Sequence, residues 1–303
     1  MIPETARPLV EHLLERCTFP EPGSALHCAV SGGPDSSALV ILAAAAGCVV
    51  TAHHVDHGAR PESAAEADVV AVLAARYGAA FVRHATVVEP GSNFEARARR
   101  ARFELMPPNI ATGHTLDDRA ETVLINMMRG AARTGLSPLQ SADRHPIVSL
   151  RATETRELCK RCDVQTIEDP TNRDPAFVRN RVRHELMPLL DDISGRDGAA
   201  ILDRQADVLG DEDRFLDALA AELDPTNAKA IAAAPIVLAR RAMRGFIMGS
   251  WDRDHPPSAD AVNRVLDVAR GHATSCEIEG GHRVHRTNQR LRLEKPVDKV
   301  ASS

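Results

Sequence analysis

The chain has 303 residues, 44% of them apolar, which is enough to bury one ordinary domain core and a smaller second one. Aromatic content of 3%, with one Trp and one Tyr, argues against a base-stacking platform for single strands, and a net charge of −5 argues against general charge-driven nucleic-acid binding while leaving room for a local basic patch. Six cysteines in a chain of this length do not make a small disulfide scaffold. The start MIPETARPLVEHLLERC has no secretory pattern, and no apolar run approaches the ~18 residues of a membrane span, so the expectation is a cytoplasmic protein with no membrane partner.

In chain order, Leu26–Val30 is short and apolar, closes on Ser-Gly-Gly, and is followed by a run from Ser36 to Gly47 that begins with a cap-type residue. This predicts strand, tight loop, helix. Residues 48–55 (CVVTAHHV) read as a strand, 61–77 as an alanine-rich helix, 80–88 as a strand, 93–106 as a helix, and 110–112 as a short strand before GHTLDDRAETVLINMMRG. Such alternation implies a parallel sheet with helices on both faces, whose ligands gather at the carboxyl ends of the strands. Three loops then meet: Ser31–Ser36, the stretch Asp56-His57-Gly58, and Gly113-His114 with Asp117 and Asp118.

The first of these, SGGPDSS, has glycines that let an anion approach the backbone and lies where the unpaired amides of a first helical turn point outward, so it is expected to hold phosphate. No lysine follows the glycines, so it is not a Walker A loop, and its spacing is not GxGxxG. A carboxylate beside bound phosphate is repulsive unless a divalent cation lies between, so Asp35 points to Mg²⁺. Asp117 and Asp118 alone would serve equally well as acidic helix caps; with His114 and a phosphate loop beside them, a metal or acid/base role is favoured.

The motifs SGGPDSS, HHVDHGAR, NFEARARRARF, GHTLDDRAET, RGAARTGLSPL and EDPTNRDPAFVRNRVRHELMPLL occur in the order found in the tRNA(Ile)-lysidine synthetase family, which the chain resembles over roughly residues 26–190. The first motif marks the wider N-type ATP pyrophosphatase, or PP-loop, group with its Rossmann-like fold; the last is more selective. The resemblance implies ATP and Mg²⁺ as cofactors, and tRNA(Ile) with a CAU anticodon and L-lysine as substrates. The C2 oxygen of the wobble cytidine is adenylated, and the lysine side-chain amine then displaces AMP to form lysidine. Carried onto this chain, the nucleotide site comprises Ser31, Gly32, Gly33, Pro34, Asp35, Ser36, His57 and Gly58; the catalytic residues are Asp35, Arg99, His114, Asp118 and Glu121. Asp35 and Asp118 are assigned to the metal and Glu121 to the lysine ammonium. Arg102, Arg179, Asn180, Arg181 and Arg183 are assigned to tRNA. Thr171 stands where the family commonly has Ser, and Phe177 where Tyr is usual.

Beyond residue 190, segments 201–223, 230–247 and 258–269 read as helices, and 276–295 as a small β element with turns at Gly280-Gly281 and Thr287-Asn288. The expected organisation is therefore a catalytic domain over 1–190 and a smaller, mainly helical tRNA-binding domain over 191–303 carrying the short β element; a homodimer is compatible with it. The competing reading is a PP-loop tRNA thiolase. Its foothold is Cys159-x-x-Cys162, although the segment reads as a helix and no second pair at zinc spacing accompanies it.

Overall fold

The computed structural model describes residues 2–56, 63–85, 105–168, 170–250 and 256–295. Two compact units emerge, Met1–Gly210 and Asp211–Ser303.

In the first unit, β1 (Ala25–Ala29), β2 (Val49–Asp56), β3 (Ala80–Ala85) and β4 (Ala111–Thr112) form a parallel sheet in the order β3-β2-β1-β4. β1 is central, pairing with β2 from Ala25↔Val49 to Ala29↔His53 and with β4 at Cys28↔Ala111. From Ala52 onward β2 is buried on consecutive residues rather than alternate ones, as a strand covered on both faces requires. A helix before the sheet, α1 (Arg7–Leu14), was not anticipated; it buries Val10 and Leu13. The helix after β1, α2 (Pro34–Ala45), is buried without interruption from Ser36 to Ala43, because it lies inside the main core and has no solvent face. The helix α3 (Ser63–Arg76) links β2 to β3, and α4 (Leu116–Met128) follows β4 directly.

On one sheet face three imidazoles cross the strands: His27 Nδ1 lies 2.9 Å from His53 Nε2, and His53 Nδ1 lies 2.9 Å from His84 Nε2. Burial, together with the neighbouring His27 and His84, pushes the His53 pKa down to about 4, so His53 is neutral at physiological pH.

The unit continues past residue 190 through α5 (Ala152–Arg161), the short α6 (Val178–Arg181) with a π turn behind it, α7 (Met187–Ser194) and the start of α8 (Gly198–Ala221). The second unit holds α9 (Ala228–Ala233), α10 (Ile236–Met248) and α11 (Ala259–Arg270), then an antiparallel sheet of β5 (Ser275–Ile278), β6 (His282–Thr287) and β7 (Arg290–Glu294). The single helix expected over 230–247 is two, because Pro235 has no amide to continue the first and begins the second as its N-cap. Met243, Ile247, Val265 and Leu266 form this unit's own core with Val284 and Leu291 of the sheet.

Candidate active site

The Val30 amide donates to His53 O at 2.8 Å, so the strand register carries straight into the loop. Gly32 takes φ +86°, a conformation that favours glycine, and a Cβ there would stand 2.3 Å from the end of the Ile167 side chain, which would have to move. The Ile167 amide donates to Gly32 O at 2.9 Å, which backs the loop with the segment leading into EDPTN. Gly33 caps α2 in an extended conformation and Pro34 occupies its first turn. Ser36 ties the loop: its hydroxyl donates to Gly33 O at 3.0 Å and accepts the Ser31 amide at 3.2 Å. The amides of Asp35 and Ser36, in the first turn of α2, have no intrahelical acceptor and are the donors an anion would meet.

Asp35 is pressed from two sides. The Thr155 hydroxyl on α5 donates to its Oδ1, and the Cys159 thiol one turn later donates to Pro34 O at 3.3 Å. From the other side Gly113, just past β4, comes so near that a Cβ would lie 2.7 Å from Asp35 O and 2.9 Å from Ser36 N. Burial pushes the Asp35 carboxyl up to about 6; the Thr155 hydrogen bond opposes this, the negative Asp118 adds to it, and Arg156 and Arg183 oppose it from further off. Among the described residues Asp35 makes no ion pair.

α4 opens with a capping box in which the Thr115 amide donates to Asp118 Oδ2 at 2.9 Å and the Asp118 amide returns to Thr115 Oγ1 at 3.4 Å. The Thr115 hydroxyl reaches the same Oδ2 at 3.0 Å, while Oδ1 accepts Arg179 Nη2 at 3.0 Å and Arg183 Nη2 at 3.1 Å. Four donors fill the four lone-pair sites of this carboxylate. Burial alone would raise its pKa, but Arg179, the Thr115 amide, His114 and Arg183 outweigh that and hold it below the usual carboxylate range. One turn on, Glu121 is 2% exposed and accepts Arg183 Nε on Oε1 at 2.5 Å, and Arg179 Nε at 2.9 Å and Arg183 Nη2 at 3.0 Å on Oε2. Two acids and two arginines thus form one neutral network next to Asp35.

Asp117 points elsewhere: its carboxylate accepts the Ala152 amide at 2.7 Å and pairs with Arg151 at 3.0 Å, anchoring α5. His114 Nδ1 lies 2.6 Å from Thr112 Oγ1, and His145 Nδ1 lies 2.8 Å from the same hydroxyl. Asn180 is buried and gives its amide protons to Thr171 O at 2.7 Å and Asp174 O at 2.9 Å, folding EDPTNRD back on the helix. Arg181 is exposed and pairs with Glu185 one turn away at 2.8 Å. The structure therefore brings Asp35, His114, Asp118, Glu121, Arg179 and Arg183 together, while Asn180 turns into its own segment and Arg181 outward. His57, Gly58, Arg99 and Arg102, most of the helix expected over 93–106 and the last residues of the strand expected over 80–88 lie outside the described residues. Among the described residues no three His, Cys, Asp or Glu side chains cluster as a metal site.

Several contributors escaped the sequence reading. Thr155 and Cys159 sit on one face of α5 at i,i+4 spacing, but their partners are more than a hundred residues away. Arg119 is buried, donating to Asp203 at 2.8 Å and Asp207 at 2.5 Å on α8, and so fixes α4 one residue from Asp118. The two acids' i,i+4 spacing was visible; their use was not. Cys159 and Cys162 are both buried, and burial, with Cys162 and Asp35 adding, pushes the Cys159 thiol up to about 12, the opposite of a reactive thiolate.

The profile of the PP-loop domain family matches residues 6–190. A tRNA(Ile)-lysidine synthase of Nocardia farcinica is 37% identical over 258 residues, covering 80% of this chain and 79% of its own. The protein of the same name from Mycobacterium bovis is 33% identical over 266 residues, covering 80% of this chain and 81% of its own. Among solved structures, the U34-tRNA thiolase NcsA of Methanococcus maripaludis superposes with a TM-score of 0.52 at 16% identity, over 67% of this chain and 78% of that one, a likeness of fold.

Proposed function

The chain belongs to the tRNA(Ile)-lysidine synthase family, and on that premise we propose that it uses ATP to adenylate the C2 oxygen of the wobble cytidine of tRNA(Ile) and joins L-lysine there through its side-chain amine. Cytosine C2 is a poor electrophile and its oxygen a poor leaving group; an adenylate ester supplies the leaving group. Pyrophosphate departs from ATP first, and the neutral amine then displaces AMP. A reaction on tRNA belongs in the cytoplasm, and no helix among the described residues is long and apolar enough to cross a membrane.

The observation that carries this reading is Asp35: a half-buried carboxylate in a glycine-rich loop at the start of a helix, beside a second acid, with no paired cation among the described residues. These features fit Mg²⁺, which when bound would offset the charge developing on the phosphates. Asp35 would hold it; Asp118 would join after giving up one of its four donors. The loop amides hold the departing pyrophosphate. Arg179 and Arg183, whose side chains are a third or more exposed, offer the tRNA backbone or the nucleotide phosphates a cationic edge while Asp118 and Glu121 hold them in place. Glu121 is the acid assigned to the lysine ammonium, which would have to take the place of a guanidinium to reach this buried carboxylate. The ammonium must lose a proton before it attacks, and His114, beside Asp118, belongs to the catalytic set without a fixed part in that step. A sulfur-transfer reading finds no support at Cys159 or Cys162, which are inert and inward.

Incubation with ATP, Mg²⁺, lysine and total tRNA, followed by nucleoside mass analysis, is expected to show lysidine. A thiolated nucleoside, or unmodified tRNA with ATP consumed, would overturn the proposal.

A further inference from the structure

The helix α5 has no assigned part in the reaction, yet it supplies the one described side chain that grips the loop carboxylate. Thr155 is completely buried, and its Oγ1 reaches two acceptors: Asp35 Oδ1 and the Ala152 carbonyl at 2.9 Å. A hydroxyl carries one proton. An ionised carboxylate is the stronger acceptor, so the proton goes to Asp35 whenever Asp35 is charged. The donor is itself held, because two contacts lock α5 against the loop and α4 and a third closes the helix's own N-terminus. The Cys159 thiol bonds Pro34 O at 3.3 Å, Asp117 accepts the Ala152 amide at 2.7 Å, and the Arg151 amide donates to Glu154 at 2.8 Å in α5's own cap. Thr155 therefore approaches Oδ1 from a fixed direction.

We propose that Thr155 is a positioning residue of the nucleotide site: by occupying Asp35 Oδ1 it fixes the carboxylate's rotation and leaves Oδ2 as the oxygen presented to the nucleotide-bound cation. This rests on the assignment of Asp35 to that cation. Without the hydroxyl, Asp35 can rotate about its Cβ–Cγ bond, and the cation must meet the cost of ordering it. The effect belongs to the metal-dependent part of nucleotide binding and not to the loop amides, which contact phosphate with or without metal.

The test compares ATP affinity with Mn²⁺ and in excess chelator, by calorimetry, for the wild-type chain and for Thr155→Val, Thr155→Ala, Thr155→Ser and Asp35→Asn. The expected result is that Mn²⁺ tightens ATP binding to the wild type, and that Thr155→Val and Thr155→Ala each reduce this tightening about tenfold, the size of one charge-assisted hydrogen bond. Their chelator-treated affinities should stay within about threefold of wild type, and Thr155→Ser should recover most of the coupling. A purely structural role would weaken both affinities together, and that outcome refutes the proposal, as does a Ser variant no better than Val. If Asp35→Asn loses the Mn²⁺ coupling while both donorless variants keep it, the metal assignment survives and the positioning role fails. If Asp35→Asn keeps the coupling, both fail.

Discussion

Glu121→Gln tests whether the acid and arginine network holds the site together. The carboxylate is 2% exposed and accepts three N–H donors from two guanidiniums. An amide keeps one oxygen but turns an NH₂ toward the other guanidinium, so at least one charge-assisted bond, about 1.5–3 kcal/mol, is lost and a donor faces a donor. The loss is moderated because Arg179 and Arg183 keep Asp118 Oδ1 at 3.0 and 3.1 Å and are partly hydrated. A net destabilisation of about 2 kcal/mol follows, or a fall in Tm of roughly 4–8 °C at the scaling for a unit of this size. Urea unfolding followed by circular dichroism should show a lower midpoint at unchanged slope. Adding Arg183→Gln should cost less than the sum of the two single variants, with a coupling above about 1 kcal/mol. A Glu121→Gln protein within about 0.5 kcal/mol of wild type would refute the argument that this pair is load-sharing inside the fold.

Gly113→Ala puts a methyl group 2.7 Å from Asp35 O, a backbone atom that cannot swing away, so it should lower stability by about 1–3 kcal/mol and weaken ATP binding more than tenfold; calorimetric ATP titration checks this. Acid should destabilise the first unit through His53: its folded pKa of about 4 lies below the ordinary 6.5, so the unfolded chain takes up the proton first. The contribution is whole above pH 6.5 and is lost as pH falls toward 4, and His53→Gln should flatten that slope in urea titrations at stepped pH. With its thiol raised to about 12 and 2% exposure, Cys159 should resist iodoacetamide at pH 8 in the folded protein and react on unfolding, read by peptide mass analysis. In lysidine formation Glu121→Gln should raise the lysine KM while pyrophosphate release is largely retained; the reverse pattern would place Glu121 in the adenylation half.

The strand-loop-helix order of the first unit was legible because it rests on local chemistry: apolar runs of strand length, glycines where the chain must reverse, cap residues where helices begin. The tight turn after β1 was legible for the same reason, since Gly32 at φ +86° and the cap-type residues that open α2 lie within a few residues of each other. The break at Pro235 could have been read from that residue alone. What no local pattern carries is who answers whom across the fold. The arginines of RNRVR were assigned together to tRNA, yet two of them turn onto Asp118 and Glu121, some sixty positions earlier, and one turns to Glu185 beside it. Asp117 and Asp118 are adjacent in sequence but go to different partners, because neighbouring positions on a helix point about 100° apart and each meets whatever element packs there. Thr155 was an ordinary helix residue until packing laid α5 against the loop. The sequence by itself determined which segments are strands, helices and glycine turns, since those depend on neighbours in the chain; the tertiary structure alone decided which oxygens and which arginines meet, since an ionic hydrogen bond depends on a distance of about 3 Å that only packing can set.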